Sequence, residues 1–180
     1  MRRYLMASLL VVAAAATFAP SSRAHTASAS APGCGTTDTK FEIKTVSSSH
    51  PYVKPEPGKA MVYFLQDDTA FASHPRPSTR FGLDGEWIGG TQSNSYFYVA
   101  IDPGEHHMCG EWQNFVGLTN GHKSGAASFN AEDGGTYFFI VRDVYIRENT
   151  PATMYLDALD PDEAQLLMSK FAFATSHPKK

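Results

Sequence analysis

The densest cluster of chemically capable side chains in this chain is His106-His107-Met108-Cys109, with a second cysteine, Cys34, far upstream. On a strand, His107 and Cys109 share one face while His106 points to the other. A thiolate beside an imidazole suits copper or zinc, and Met108 would make such a site softer. A metal centre needs further ligands, yet His50, His74 and His122 are scattered with no ligand spacing. The other chemistry open to the cysteines is with each other. An even pair in an oxidising compartment reads as one disulfide, Cys34–Cys109. Closing that loop of 75 positions would stabilise the fold by roughly 4 kcal/mol in the chain-entropy view.

Catalytic patterns are thin. No Gly-x-Ser-x-Gly elbow surrounds a serine. Adjacent carboxylates occur at Asp67-Asp68 and Glu132-Asp133, but a glycosidase needs two carboxyls facing across a cleft, which adjacency does not supply. These four read as solvated loop charges. Gly89-Gly90 and Gly134-Gly135 lack a following helix, which argues against a phosphate cradle. The expectation is a protein that is not an enzyme and needs no cofactor.

Aromatic side chains offer a better lead. Trp87, Tyr96, Tyr98 and Trp112 are candidates for a ligand-binding platform, because β-sandwiches can hold sugars or peptides on aromatic rings. Tyr96 and Tyr98 share a strand face, with the tryptophans on flanking strands. The competing expectation is core, since aromatics supply much of the buried area in a fold of short strands.

These residues sit behind an address. Arg2 and Arg3 precede an apolar run from Leu5 to Ala19, and Ser22-Arg23-Ala24 follows with small residues flanking a cleavage point. That layout predicts a secretory signal peptide over 1–24. The run is about fifteen residues, short of the roughly 20 that span a bilayer. Removing 1–24 leaves 156 of 180 residues, enough for one domain with a real core. Three of the fifteen basic residues and none of the eighteen acidic ones lie in 1–24, so the remainder carries a charge of −6. Without a basic cluster, nucleic acid is excluded as a partner. No later run is long enough to span a membrane. Lipid on Cys34 is poorly matched by Ala31-Pro32-Gly33 ahead of it, fifteen residues beyond Ala19.

Residues 25–39 read as a disordered leader, and 47–58 and 72–79 as irregular loops rich in proline and small polar residues. Between them lie short β-prone runs. Phe41–Val46 alternates like a half-buried strand, while Ala60–Leu65, Tyr96–Ile101 and Tyr137–Val141 are apolar throughout and read as central strands covered on both faces. Arg80–Leu83 and Glu86–Ile88 flank Asp84-Gly85, a type I′ hairpin turn. Asp102-Pro-Gly-Glu105 should turn Tyr96–Ile101 into a strand over His106–Gln113. Further strands are expected at Ala126–Asn130 and Thr153–Leu159. One helix, about 161–173, is predicted from Asp160 as cap, Pro161 at the first position, a capping-box Glu163 and an apolar stripe through Ala164, Leu167, Met168 and Phe171.

Three segments carry a resemblance: Pro57-Gly-Lys-Ala-Met-Val-Tyr-Phe64; Leu83-Asp-Gly-Glu-Trp-Ile-Gly89 with Asp102-Pro-Gly-Glu-His106; and Gly134-Gly-Thr-Tyr-Phe138. In this order they resemble a bacterial envelope family named domain of unknown function 2846, and they are similar to PEGA-type domains. The resemblance covers about residues 57–143. It implies a small antiparallel sandwich outside the cytoplasmic membrane and no activity. Many relatives of that kind look like lipoproteins with a cysteine directly after the signal run, a pattern this chain departs from. The expected fold is mainly β, an antiparallel β-sandwich of about 8–9 short strands (transthyretin/PEGA-like) with one C-terminal helix, as a single domain over 40–174. The expected role is a periplasmic or extracellular structural or protein-interaction module of the envelope, with an unknown protein or glycan as partner. Glycan binding through the aromatics, and copper or zinc binding through His107 and Cys109, are the alternatives.

Overall fold

The structure, a computed structural model, describes residues 32–114, 122–146 and 150–180. The expected signal peptide, and the expected leader as far as residue 31, lie outside them. Ten strands and one helix follow in order: β1 (Phe41–Val46), β2 (Ala60–Asp67), β3 (Ser78–Leu83), β4 (Glu86–Gln92), β5 (Ser95–Ile101), β6 (Gly104–Trp112), β7 (Ser124–Ala131), β8 (Thr136–Val144), β9 (Thr153–Ala158), α1 (Pro161–Met168) and β10 (Ala172–Pro178). They form a six-stranded sheet, β1-β10-β5-β2-β8-β9, facing a four-stranded sheet, β4-β3-β6-β7.

The continuous apolar runs explain the layering. In β2, Val62 and Phe64 turn toward the four-stranded sheet and meet Phe81, Phe97, Met108, Phe139 and Val141. The alternate residues, Met61, Tyr63 and Leu65, turn the other way and pack with Tyr96, Ile140, Ala164, Met168 and Phe171. The six-stranded sheet is therefore covered on both faces, by its partner sheet and by α1. Each such side chain contributes roughly 1.5–3 kcal/mol of burial. The β3–β4 turn is the expected hairpin, with Asp84 at φ 50° and Gly85 at φ 88°.

Four features differ from the expectations. The six-stranded sheet is mixed rather than wholly antiparallel: β2 pairs with β8, and β10 with β5, in parallel. A strand buried on both faces suits parallel pairing, and its one-letter pattern does not reveal direction. The helix ends at Met168, capped by Ser169, and the chain turns to lay down β10 between β1 and β5. Phe171 keeps its place in the core after the helix has stopped, which is why the apolar stripe outruns the helix. Glu163 does not close a capping box; Asp160 accepts from the Asp162 and Glu163 amides, while the Glu163 carboxylate binds Arg142 at 2.7 Å. The domain also extends beyond 40–174. β10 runs to Pro178, and from Pro32 onward the expected leader lies against the four-stranded sheet. There Gly33 sits on the Met108 backbone and Gly82 under the Gly33 carbonyl, contacts too close for any Cβ.

Candidate functional site

The expected aromatic platform is dispersed over three places. Trp112 is fully buried, edge-on to Phe71 at 6.0 Å, and its indole N–H donates to Asp143 Oδ1 at 2.8 Å. Tyr96 is fully buried beneath the helix-side layer, donates to the Pro51 carbonyl at 3.1 Å, and has its phenol pushed up to about 12 by burial. Tyr98 is half-buried between Tyr63 and Phe173. Trp87 lies on the outer face of the four-stranded sheet, but Arg80 stacks 4.1 Å from its ring centroid and Gly35 presses on the indole. Its N–H donates to the Thr37 carbonyl at 2.7 Å. Trp112 and Tyr96 thus leave the candidate platform for the core, and Trp87 fastens residues 35–39. Large apolar rings are used where dry area is scarcest, and that use wins here.

Cys34 and Cys109 are joined as a disulfide, with Cα atoms 5.1 Å apart. Cys109 has no thiolate to offer, so the His107–Cys109 metal pair loses its sulfur ligand; among the described residues no group of three metal-capable side chains converges. His106 is held on both ring nitrogens. Its Nδ1 meets Asp84 Oδ2 at 2.6 Å and its Nε2 meets the Asp102 carbonyl at 2.8 Å. Burial opposes its charge, but those two bonds and the nearby carboxylates prevail and raise its pKa.

Sequence reasoning missed a buried acid pair. Asp68, expected in solvent, is fully buried, as are Gln66, Thr91 and Asp143. The Gln66 amide nitrogen lies within 3.0 Å of Asp68 Oδ1, the Pro77 carbonyl and Asp143 Oδ2, yet carries only two hydrogens. Asp68 Oδ2 accepts no hydrogen bond among the described residues, and a proton held on the pair relieves the crowding. Desolvation first, then the neighbouring Asp68 charge, pushes Asp143 up to about 8; burial also raises Asp68. No adjacent residue in the sequence marks Asp143 as its partner. With both acids at 0% exposure, the pair braces the two sheets and offers no open face to a substrate.

The open chemistry is on the backbone. In an antiparallel ladder, alternate residues turn N–H and C=O toward the partner strand. The Trp112 amide donates to the Lys123 carbonyl, and the β6–β7 register carries that phase to Gly125, Ala127, Phe129 and Ala131. The N–H and C=O groups of Ser124, Ala126, Ser128 and Asn130 therefore point away from β6. β7 ends its sheet, and no hydrogen bond among the described residues occupies that edge. The same four side chains are exposed on the outer face, and β7 holds no charge and no proline, the usual guards of an edge.

A groove of ≈ 620 Å³ lies beside this edge, floored by Ser124, Gly125 and Ala126 and walled by Cys34–Asp38, Arg80 and Glu111. The Arg80 guanidinium donates to the Thr39 carbonyl at 2.6 Å, Glu111 at 2.9 Å and Asp38 at 3.2 Å. Two carboxylates thus face one buried arginine. No protein family matches this chain, and neither a curated protein nor a solved structure matches it significantly.

Proposed function

We propose that this chain is an exported, non-enzymatic β-sandwich protein of the bacterial envelope that works as a protein-interaction module, using β7 as its docking strand. The β7 edge carries the reading: four residues whose outward main-chain groups have no partner among the described residues, on a strand paired with β6 along its length, form a ready template for strand addition. The disulfide supports the export half, because such a bond persists in an oxidising compartment. No helix among the described residues is long and apolar enough to cross a membrane.

A photo-crosslinking side chain at Ser128, in the natively produced protein, tests the reading against the same group at exposed Leu166. A discrete adduct at position 128 and none at 166 is expected; equal adducts, or none at 128, would remove β7 as the docking strand. Intact mass of the same material should fit cleavage after Ala24 and be two hydrogens short of the free dithiol. A full-length mass with free thiols would contradict export.

A further inference from the structure

We infer that the strand added to β7 is a basic one: an extended peptide segment whose outward side chains include lysine or arginine, reaching across β7 to Glu105 and Glu111. This rests on the interaction reading above and names the partner's chemistry.

The argument starts from what an added strand would meet. It would lie two strand spacings, about 9.5 Å, from β6. Every second side chain of it would stand on the outer face beside Ser124, Ala126, Ser128 and Asn130. Those four are small, so a long side chain can lie across them toward β6. The outer face of β6 presents Glu105 opposite Asn130 and Glu111 opposite Ser124. Glu105 is 76% exposed and Glu111 is 22% exposed, with Asp38 beyond it at 82%. Arg80, a cation on this face, is already engaged by Glu111 and Asp38, while the His107 ring, opposite Ser128, lies 4.0 Å from Glu105 and the His122 ring 3.9 Å from Glu111. Lys123 shares the alternation of inward-facing Gly125 rather than of Ser124. Three carboxylates thus stand against one arginine along the outer face of β6 and β7, and Glu105 and Glu111 match basic side chains six positions apart on one strand face.

A second copy of the chain fits less well. Two β7 strands could pair about a two-fold axis, Ser124 with Asn130 and Ala126 with Ser128, but both would bring small uncharged side chains. Glu105 and Glu111 would gain nothing, and the two chains carry like net charge.

The test uses the natively exported, disulfide-intact protein and fluorescent peptides of about nine residues, alternating threonine with lysine or threonine with glutamate. Binding is read by anisotropy, and self-association by sedimentation in parallel. The lysine peptide is expected to bind about tenfold or more tightly than the glutamate peptide. Ser128→Pro, which removes an outward N–H without touching the β6 ladder, should abolish binding. Glu105→Gln should weaken it about threefold, more at low salt. Equal binding of both peptides, abolished by Ser128→Pro, would overturn the basic partner and leave the docking edge standing. Self-association lost in Ser128→Pro, with no peptide bound, would assign the edge to a second copy and overturn the inference. Peptide binding indifferent to Ser128→Pro would overturn the docking edge as well. No binding by a monomeric wild type would overturn the basic partner alone, the crosslink at position 128 deciding the edge.

Discussion

The sandwich has two kinds of sheet edge, and β1 and β7 show the contrast. On β1, three of the outward groups are taken: the Phe41 amide donates to Gln113 Oε1 at 2.8 Å, Gln113 Nε2 donates to the Phe41 carbonyl at 3.1 Å, and Gln92 Nε2 donates to the Ile43 carbonyl at 3.3 Å. Gln113 thereby imitates a neighbouring strand, offering one donor and one acceptor. Residues 32–39, pinned by the disulfide and by Trp87 and Arg80, lead directly into β1 and hold it in register. On β7 no such cover is present among the described residues. A chain that closes one edge with side-chain amides and leaves the other plain distinguishes an edge that must not pair from one that can.

The contrast can be broken from the closed side first. Cys109→Ser should cost about 4 kcal/mol in urea unfolding and free the segment ahead of β1. An unchanged midpoint would show that the bond is not what fixes that segment. Next in size is a pH effect from the acid pair beside Trp112. Because the Asp143 pKa is about 8 folded against an ordinary 3.8, its contribution is complete below pH 3.8 and lost as pH rises to about 8. Unfolding free energy should fall steadily across that window, and Asp143→Asn should flatten the decline. A wild-type profile that rises instead would mean that the folded pair does not retain a proton.

Smaller effects sharpen the comparison. Ala127→Pro removes a ladder N–H from β7 and should cost about 2–3 kcal/mol. Gln113→Ala leaves the Phe41 groups buried and unpaired, for about 2 kcal/mol, and should induce association seen by light scattering. Ser128→Pro should change stability by no more than about 0.5 kcal/mol, because its N–H has no partner among the described residues. If Ser128→Pro cost as much as Ala127→Pro, the assigned hydrogen-bond phase of β7 would be wrong.

Much of the scaffold was legible because its signals are local. Runs such as Ala60–Leu65 are too short and too apolar for anything but a strand covered twice, and Asp84-Gly85 permits few turns. Direction was not legible: β2 and β8 pair in parallel across 75 positions, Val62 with Tyr137 and Tyr63 with Phe138, a tertiary wrapping that no period records. β10 was hidden because Phe171 continues the helical stripe by coincidence of spacing. At the site, Ala126–Asn130 was readable as a strand, but its position at the end of a sheet is a property of topology. Burial likewise separated Trp112 and Asp68 from their exposed-looking neighbours, Trp87 and Asp67.

Residue-resolved amide exchange on the free, oxidised protein tests the central claim most directly. The amides of Ala126, Ser128 and Asn130 should exchange rapidly, while those of Gly125, Ala127 and Phe129 are protected, in strict alternation along β7. Uniform protection across residues 124–130 would show that the edge is already covered, and would contradict the account.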